Sequence, residues 1–272
     1  MRGRRLPLAA LGAMAALAVL AGVVPARGAD AIDRLLRRSG LEAQLAAAPD
    51  EVRAVLLERV AGESDPGRVR DVLEVARRAF SPARLRASVR RDLGRLDGPT
   101  RAAALAFLSS RSGARVTRAE VTAAGGQAAA RQEGSAETLA RSLPAERQRL
   151  LERLELAAAE AERRIELDER LSAAVVEGVR RARPELAPPP AARADGGLPV
   201  AAGLVETYRR AAVVDAAWVY REVPDADLER YVEFVESGPG RRFQAAVAAA
   251  VLAALEEAAR TFGELLAGER SA

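Results

Sequence analysis

Residues 234–242 read FVESGPGRR, and residues 107–115, 127 positions earlier in the chain, read FLSSRSGAR. Phe, Ser, Gly and Arg recur at the same places in both stretches, and none of these identities is an alanine, so the abundance of Ala does not explain them. In each stretch an apolar anchor precedes Ser and a Gly-containing turn, a pattern typical of a helix that ends where Gly takes a left-handed conformation. Each stretch therefore predicts a corner between two helices, and the recurrence predicts an internal duplication.

Two interpretations of the corner remain open on the sequence alone. The first is purely structural: the Phe and the next apolar residue anchor one helix, and Val116 or Phe243 returns to the same core. The second is an anion nest, in which turn amides and an Arg side chain face a phosphate or a carboxylate. The residues of this predicted motif are Phe107, Ser110, Gly113, Arg115, Phe234, Ser237, Gly240 and Arg242.

The composition favours helices throughout the chain. Of 272 residues 49% are hydrophobic but only 3% are aromatic, so Ala, Leu and Val must build the core. Ala and Leu have high helix propensities, and sustained strand-like alternation is absent from the sequence. We therefore predict an all-α helical bundle, made of two related helical units after a cleaved signal peptide.

The chain contains no Cys, His or Lys. These absences exclude a thiol nucleophile, a Ser-His-Asp triad, an ordinary zinc site and a catalytic lysine. No catalytic, cofactor-binding or metal-binding residue is predicted, and no cofactor is expected. For catalysis the chain retains carboxylates, hydroxyls, Tyr and Arg.

The amino-terminal segment has the layout of a secretory leader. A basic head, MRGRR, precedes an uncharged apolar run over residues 6–24 and a small-residue stretch, PARGADA. We predict a signal peptide over residues 1–28, with cleavage after Gly28, Ala26 or Ala29, and a periplasmic or secreted location. The alternative is an uncleaved helix that anchors the protein in the inner membrane.

Removing residues 1–28 takes away four Arg, which leaves the mature chain close to neutral and gives no indication of nucleic acid binding. The remaining chain divides into helical unit 1 (30–135), a charged segment (136–183), a Pro/Gly-rich linker (184–199) and helical unit 2 (200–272). The charged segment is either one long helix or two helices with a bend near Asp168, where the apolar stripe shifts.

Charge is unevenly distributed between the two predicted units. Residues 66–118 contain thirteen Arg and four acidic residues, whereas residues 203–267 contain seven Arg and eleven acidic residues. The arginines are ordinary solvated side chains, or they dock one unit on the other, or they contact an anionic surface of the cell envelope. The predicted contact with an anionic surface consists of Arg84, Arg86, Arg90, Arg91 and Arg95.

Residues 223–243, VPDADLERYVEFVESGPGRRF, carry an acidic helix start, a Phe, a Ser, a Pro-Gly turn and a basic residue. In these features the chain resembles the family of exported proteobacterial proteins defined by domain of unknown function 2059. Val235 stands where the family usually has Tyr, and Pro239 is displaced by one place. Residues 80–116 match more loosely and lack the Pro. The resemblance implies an all-helical exported protein and carries over no activity.

The sequence therefore predicts a non-enzymatic binding or structural protein of the cell envelope, whose partner is another envelope protein or an anionic membrane surface. The alternative is a carboxylate-dependent hydrolase acting on envelope polymers. Its candidate acids are expected on charged, solvated helix faces, where their pKa values would stay unshifted. These acids are Glu256 with Glu257, Asp168 with Glu169, and Glu160 with Glu162.

Overall fold

In a computed structural model, which describes residues 28–59, 65–124, 133–186 and 202–269, the chain forms an all-α bundle without a strand in these ranges. This confirms the predicted fold class. The helices are α1 (Gly28–Arg38), α2 (Leu41–Arg59), α3 (Pro66–Ala79), α4 (Pro82–Leu93), α5 (Gly98–Leu108), α6 (Arg111–Ala124), α7 (Glu133–Ser142), α8 (Ala145–Ala158), α9 (Glu160–Ala182), α10 (Ala202–Val219), α11 (Asp225–Val235) and α12 (Gly238–Glu269).

The predicted signal peptide lies outside the described residues except for Gly28, and so does the predicted linker from residue 187 onward. None of the helices in the described ranges combines the length and the apolar character needed to span a bilayer.

Proline and aspartate set several helix starts. Pro occupies the first turn of α3, α4 and α5, where its missing N–H costs no hydrogen bond. The Asp97 carboxylate accepts the backbone N–H of Thr100 at 2.8 Å and caps α5. The acidic start of α11 is different: Asp225 is the first residue of the helix, and Pro224 precedes it as the capping residue.

The charged segment begins within α7, and its remainder, from residue 145 onward, forms the two helices α8 and α9 with a break at Ala159. The predicted bend near Asp168 is therefore wrong. Ala159 has a left-handed backbone, with φ 52° and ψ 44°, which ends α8. The Glu155 carboxylate lies behind the break, where it accepts the N–H of Ala161 at 3.2 Å and that of Arg209 Nε at 3.1 Å. The Glu155 carboxylate thus binds the first turn of α9 and a side chain of α10. The apolar stripe along the segment carries no information about these polar contacts, so it does not reveal where the break lies.

One apolar core unites both predicted units, and its centre is aromatic. Phe107 and Phe234, the matching residues of the two corners, are buried and stack with their ring centroids 6.0 Å apart. Tyr231 also stacks on Phe107, with the ring centroids 6.4 Å apart, and Tyr220 meets Tyr231 edge-on at 5.6 Å. Around this centre α12 packs against α3, α4, α5 and α9, so the last helix covers elements from both halves of the chain.

Helices α9 and α12 approach each other until their backbones touch. A Cβ atom added to Gly178 would lie 2.0 Å from the carbonyl oxygen of Arg260, and one added to Gly263 would lie 2.2 Å from that of Val175. Since neither distance is attainable for a real Cβ, glycine at both positions permits this crossing.

Candidate functional site

The two predicted corners have the same local hydrogen bonds. In the first corner, Ser110 N–H donates to Phe107 O at 2.7 Å, and the Ser110 hydroxyl accepts the N–H of Gly113 at 3.0 Å. In the second corner, the equivalent bonds of Ser237, to Phe234 O and from Gly240 N–H, measure 2.8 and 3.1 Å. Each Ser thus ends one helix and caps the next.

The glycines of the corners serve a different purpose from the one predicted. Neither has a positive φ; within the described ranges Gly40 is the glycine that does, at 71°. A Cβ on Gly113 would lie 2.1 Å from the carbonyl oxygen of Phe107, and one on Gly240 would lie 1.8 Å from that of Phe234. Glycine is required because the first turn of the second helix presses against the end of the first helix.

The arginines of the two corners bind residues of the opposite half. Arg115 donates to the buried carboxylate of Asp227, in the first turn of α11, and Ser112 donates to the same carboxylate. Arg242 Nε donates to the hydroxyl of Thr100, in the first turn of α5, at 2.9 Å. The hydrogen bond from Ser112, and then Arg115, hold the pKa of Asp227 below its usual value. Both arginines are therefore engaged within the protein.

The arginine-rich helix α4 lies at the surface and pairs with α1 and α2. Arg90 Nε lies 2.9 Å from the Asp33 carboxylate, and Arg86 lies 3.1 Å from Glu42. Arg95 lies in the turn after α4, outside the helix predicted to contain it, and binds Asp92 of α4 at 2.7 Å. The other two members of the predicted contact are solvent-exposed and are Arg84 and Arg91.

The predicted carboxylate pairs do not converge. Glu256 binds Arg170 at 2.5 Å, and Glu162 binds Arg209 at 2.7 Å. Glu160 differs from both, because its Oε2 atom is buried and has no hydrogen-bond partner. The expectation that Glu160 lies on a solvated face is therefore wrong.

Glu160 lines a cavity of about 290 Å³ between α2, α9 and α12. Two glutamines from the other helices also line it, Gln44 of α2 and Gln244 of α12, and their side chains are only 2% and 3% exposed. Gln44 Oε1 and Gln244 Nε2 are likewise buried without a hydrogen-bond partner. Buried polar atoms are nearly always bonded, so three unpartnered atoms around one cavity distinguish it as a candidate site.

The rest of the lining is charged on one helix and aliphatic on the other. Burial raises the pKa of Glu160 to about 7, against the opposing charges of Arg163 and Arg164. Arg164 lies 3.4 Å from Asp215, whereas no carboxylate in the described part of the chain lies within 4.0 Å of the Arg163 guanidinium. Burial lowers the pKa of Arg163. The α12 wall is formed by small aliphatic side chains, among them Val247 and Val251.

Sequence reasoning missed this cavity, although a signal for it exists. Gln44 lies between Leu41 and Leu45, and Gln244 lies next to Phe243, so each glutamine interrupts an apolar helix face. A polar side chain on such a face must find a partner or line a cavity.

A second buried carboxyl, Glu120 of α6, lies away from this cavity and has partners. Its Oε1 accepts the hydroxyls of Tyr220 at 2.8 Å and of Tyr231 at 3.0 Å. Burial raises the pKa of Glu120 to about 8, although both tyrosine hydrogen bonds oppose the shift. Glu120 of α6 is therefore held as a structural group by Tyr220, in the turn after α10, and by Tyr231 of α11.

No cluster of three or more acidic side chains able to hold a metal ion occurs in the described ranges. Comparison of the chain with protein-family models, curated proteins and solved structures gave no match.

Proposed function

We propose that this chain is an exported, non-enzymatic binding protein of the cell envelope, and that its ligand occupies the cavity between α2, α9 and α12. One observation carries the proposal: Gln44 Oε1, Gln244 Nε2 and Glu160 Oε2 are buried around that cavity without hydrogen-bond partners. A buried polar group without a partner costs roughly 1–3 kcal/mol. A ligand that bonds to these atoms recovers this free energy, whereas the empty protein carries the cost.

Export rests on the leader-like residues 1–28 and on the resemblance to the domain of unknown function 2059 family. The non-enzymatic part rests on the residues that the chain lacks: without Cys, His or Lys, few nucleophiles and bases remain. The same resemblance, with the matching corners, supports an internal duplication. Helices α5 and α11 begin and end at positions that are 127 apart, and each corner arginine binds the first turn of the opposite copy.

A first test measures what the unpartnered glutamines cost. We expect Gln44→Met and Gln244→Met each to raise the free energy of unfolding by roughly 1 kcal/mol or more, because Met fills similar space without an unpartnered polar atom. The matched control is Gln148→Met. Gln148 Nε2 donates to the carbonyls of Leu143 at 3.0 Å and Ala140 at 3.3 Å, so its loss lowers stability. Urea unfolding monitored by circular dichroism gives the free energy of unfolding of the wild type and of each variant.

A second test looks for the ligand class with a panel of amino acids, short peptides, monosaccharides and phosphates. At least one class should raise the melting temperature of the wild type and leave that of the Gln44→Met/Gln244→Met double variant unchanged. A panel that shifts neither protein, or both equally, overturns the assignment of the cavity as a binding site.

A carboxylate-dependent hydrolase is the second candidate, and one observation favours it. Glu160, with its raised pKa of about 7, shares the cavity with Glu166, which accepts a hydrogen bond from Arg170 at 2.8 Å. An acid that is protonated near neutral pH beside a paired carboxylate is the arrangement of a general acid with its partner. Release of soluble fragments from envelope polymers by the wild type, lost in Glu160→Gln, would establish this activity; no release would remove it.

A further inference from the structure

The polar atoms of the cavity match the two sides of an amide group. Gln44 Oε1 requires a hydrogen-bond donor, and Gln244 Nε2 requires an acceptor. A peptide group supplies an N–H and a C=O pointing in opposite directions, so it can bond to α2 on one side and to α12 on the other. A monosaccharide hydroxyl can also donate and accept a hydrogen bond, but a neutral sugar carries no charge that could pair with a charged side chain.

The cavity is lined by a cationic side chain, Arg163, which can bind an anionic group of the ligand. The Arg163 guanidinium lines the cavity and has no carboxylate within 4.0 Å in the described ranges, whereas Arg164 and Arg170 are already paired. A guanidinium binds a planar carboxylate through two parallel hydrogen bonds. Since Glu160 and Glu166 line the same cavity, a dianion such as phosphate meets more repulsion there than a carboxylate does.

The size and the wall of the cavity limit the rest of the ligand. Its volume of about 290 Å³ equals that of roughly ten water molecules in the liquid. The wall on α12 is formed by the aliphatic side chains of Ala245, Val247, Ala248 and Val251. Among the described residues no aromatic side chain lines the cavity, so they offer no stacking surface of the kind that nucleobases use.

We propose that the cavity binds a short peptide or an N-acyl amino acid with a free carboxylate and small aliphatic side chains, about the size of a dipeptide. Gln44 and Gln244 bind its amide, Arg163 binds its carboxylate, and α12 covers its side chains. This assignment rests on the proposed function, because it names the ligand class of the same cavity.

The test is isothermal titration of the full-length protein with N-acetyl-alanyl-alanine and with its carboxyl-terminal amide. The free acid can form a hydrogen-bonded ion pair with the Arg163 guanidinium, whereas the neutral amide cannot. The free acid should therefore bind at least about tenfold more tightly than the amide. The variant Arg163→Gln should bind both compounds with equal, low affinity, and Arg84→Gln, at an exposed arginine of α4, should keep the wild-type preference. Gln44→Met should weaken both compounds by the same factor.

Equal binding of acid and amide, or no binding of either, overturns the peptide assignment. In that event the thermal-shift panel separates the two proposals. If a sugar or phosphate raises the melting temperature of the wild type but not that of the Gln44→Met/Gln244→Met variant, the cavity is still a binding site, with another ligand. If no compound raises the melting temperature, both the peptide assignment and the binding function are overturned. Circular dichroism melts of Arg163→Gln and Gln44→Met show whether each variant is folded before its affinity is interpreted.

Discussion

The buried carboxyl of Glu120 makes the stability of the protein depend on pH. Its side chain is 4% exposed, and its pKa rises from 4.5 to about 8 on folding, because burial disfavours the charged form more than the hydroxyls of Tyr220 and Tyr231 favour it. The folded state thus holds this proton more tightly than the unfolded chain. The stability linked to the proton is fully present below pH 4.5 and is lost as the pH rises through 8.

The size of this effect follows from the shift. Each pKa unit corresponds to about 1.4 kcal/mol, so the full effect is about 5 kcal/mol, of which about 4 kcal/mol falls between pH 5 and pH 8.5. This is a large fraction of the roughly 5–15 kcal/mol that keeps a typical domain folded.

The variant Glu120→Gln isolates the effect, because its amide oxygen still accepts the tyrosine hydroxyls but does not titrate. We measure the free energy of unfolding in urea at pH 5 and at pH 8.5 for both proteins. Between these pH values it should fall by about 4 kcal/mol more in the wild type than in Glu120→Gln. Other titrating groups, such as Glu160, act alike in both proteins and cancel. Glu152→Gln, on the exposed face of α8, is the control and should follow the wild type. A relative change below about 1 kcal/mol would refute the reasoning.

Three further substitutions test the fold. Gly240→Ala should lower the free energy of unfolding in urea by roughly 1–3 kcal/mol, because the added methyl group meets a carbonyl oxygen of the preceding helix. Gly98→Ala should leave the free energy of unfolding unchanged, because no atom lies within 4 Å of the added methyl group. Ala159→Gly should raise the melting temperature, since glycine removes roughly 1 kcal/mol of strain from the left-handed backbone; a lower melting temperature contradicts this account. Arg147→Met should lower the free energy of unfolding by roughly 3 kcal/mol, because the buried guanidinium binds two backbone carbonyls and an aspartate at the turn between α10 and α11. Its control, Arg149→Met at an exposed site, should change the free energy of unfolding by less than about 0.5 kcal/mol.

The fold class and the corners could be predicted from the sequence because both depend on local patterns. Ala-rich and Leu-rich apolar stripes specify helices wherever they occur, and the phrase shared by residues 107–115 and 234–242 specifies its own turn. The role of its glycine was misread, since the sequence shows that a small residue is needed but not whether φ or a close contact requires it.

The break at Ala159 and the cavity depend on contacts between distant helices. A left-handed alanine has no signature in the sequence, and the cavity that Glu160 lines exists only where residues of α2, α9 and α12 come together. For Gln44 and Gln244 the pattern indicated burial, but only the packing of three helices shows that their polar atoms have no partners.

The placement of α12 makes the two halves of the chain depend on each other. The last 32-residue helix covers α3, α4, α5 and α9, and the matching phenylalanines of the two halves touch only when both halves are present. Without α12, the faces of α3, α4, α5 and α9 that pack against it are uncovered, so neither half has a complete core of its own. The two halves are therefore expected to unfold together, as one cooperative unit.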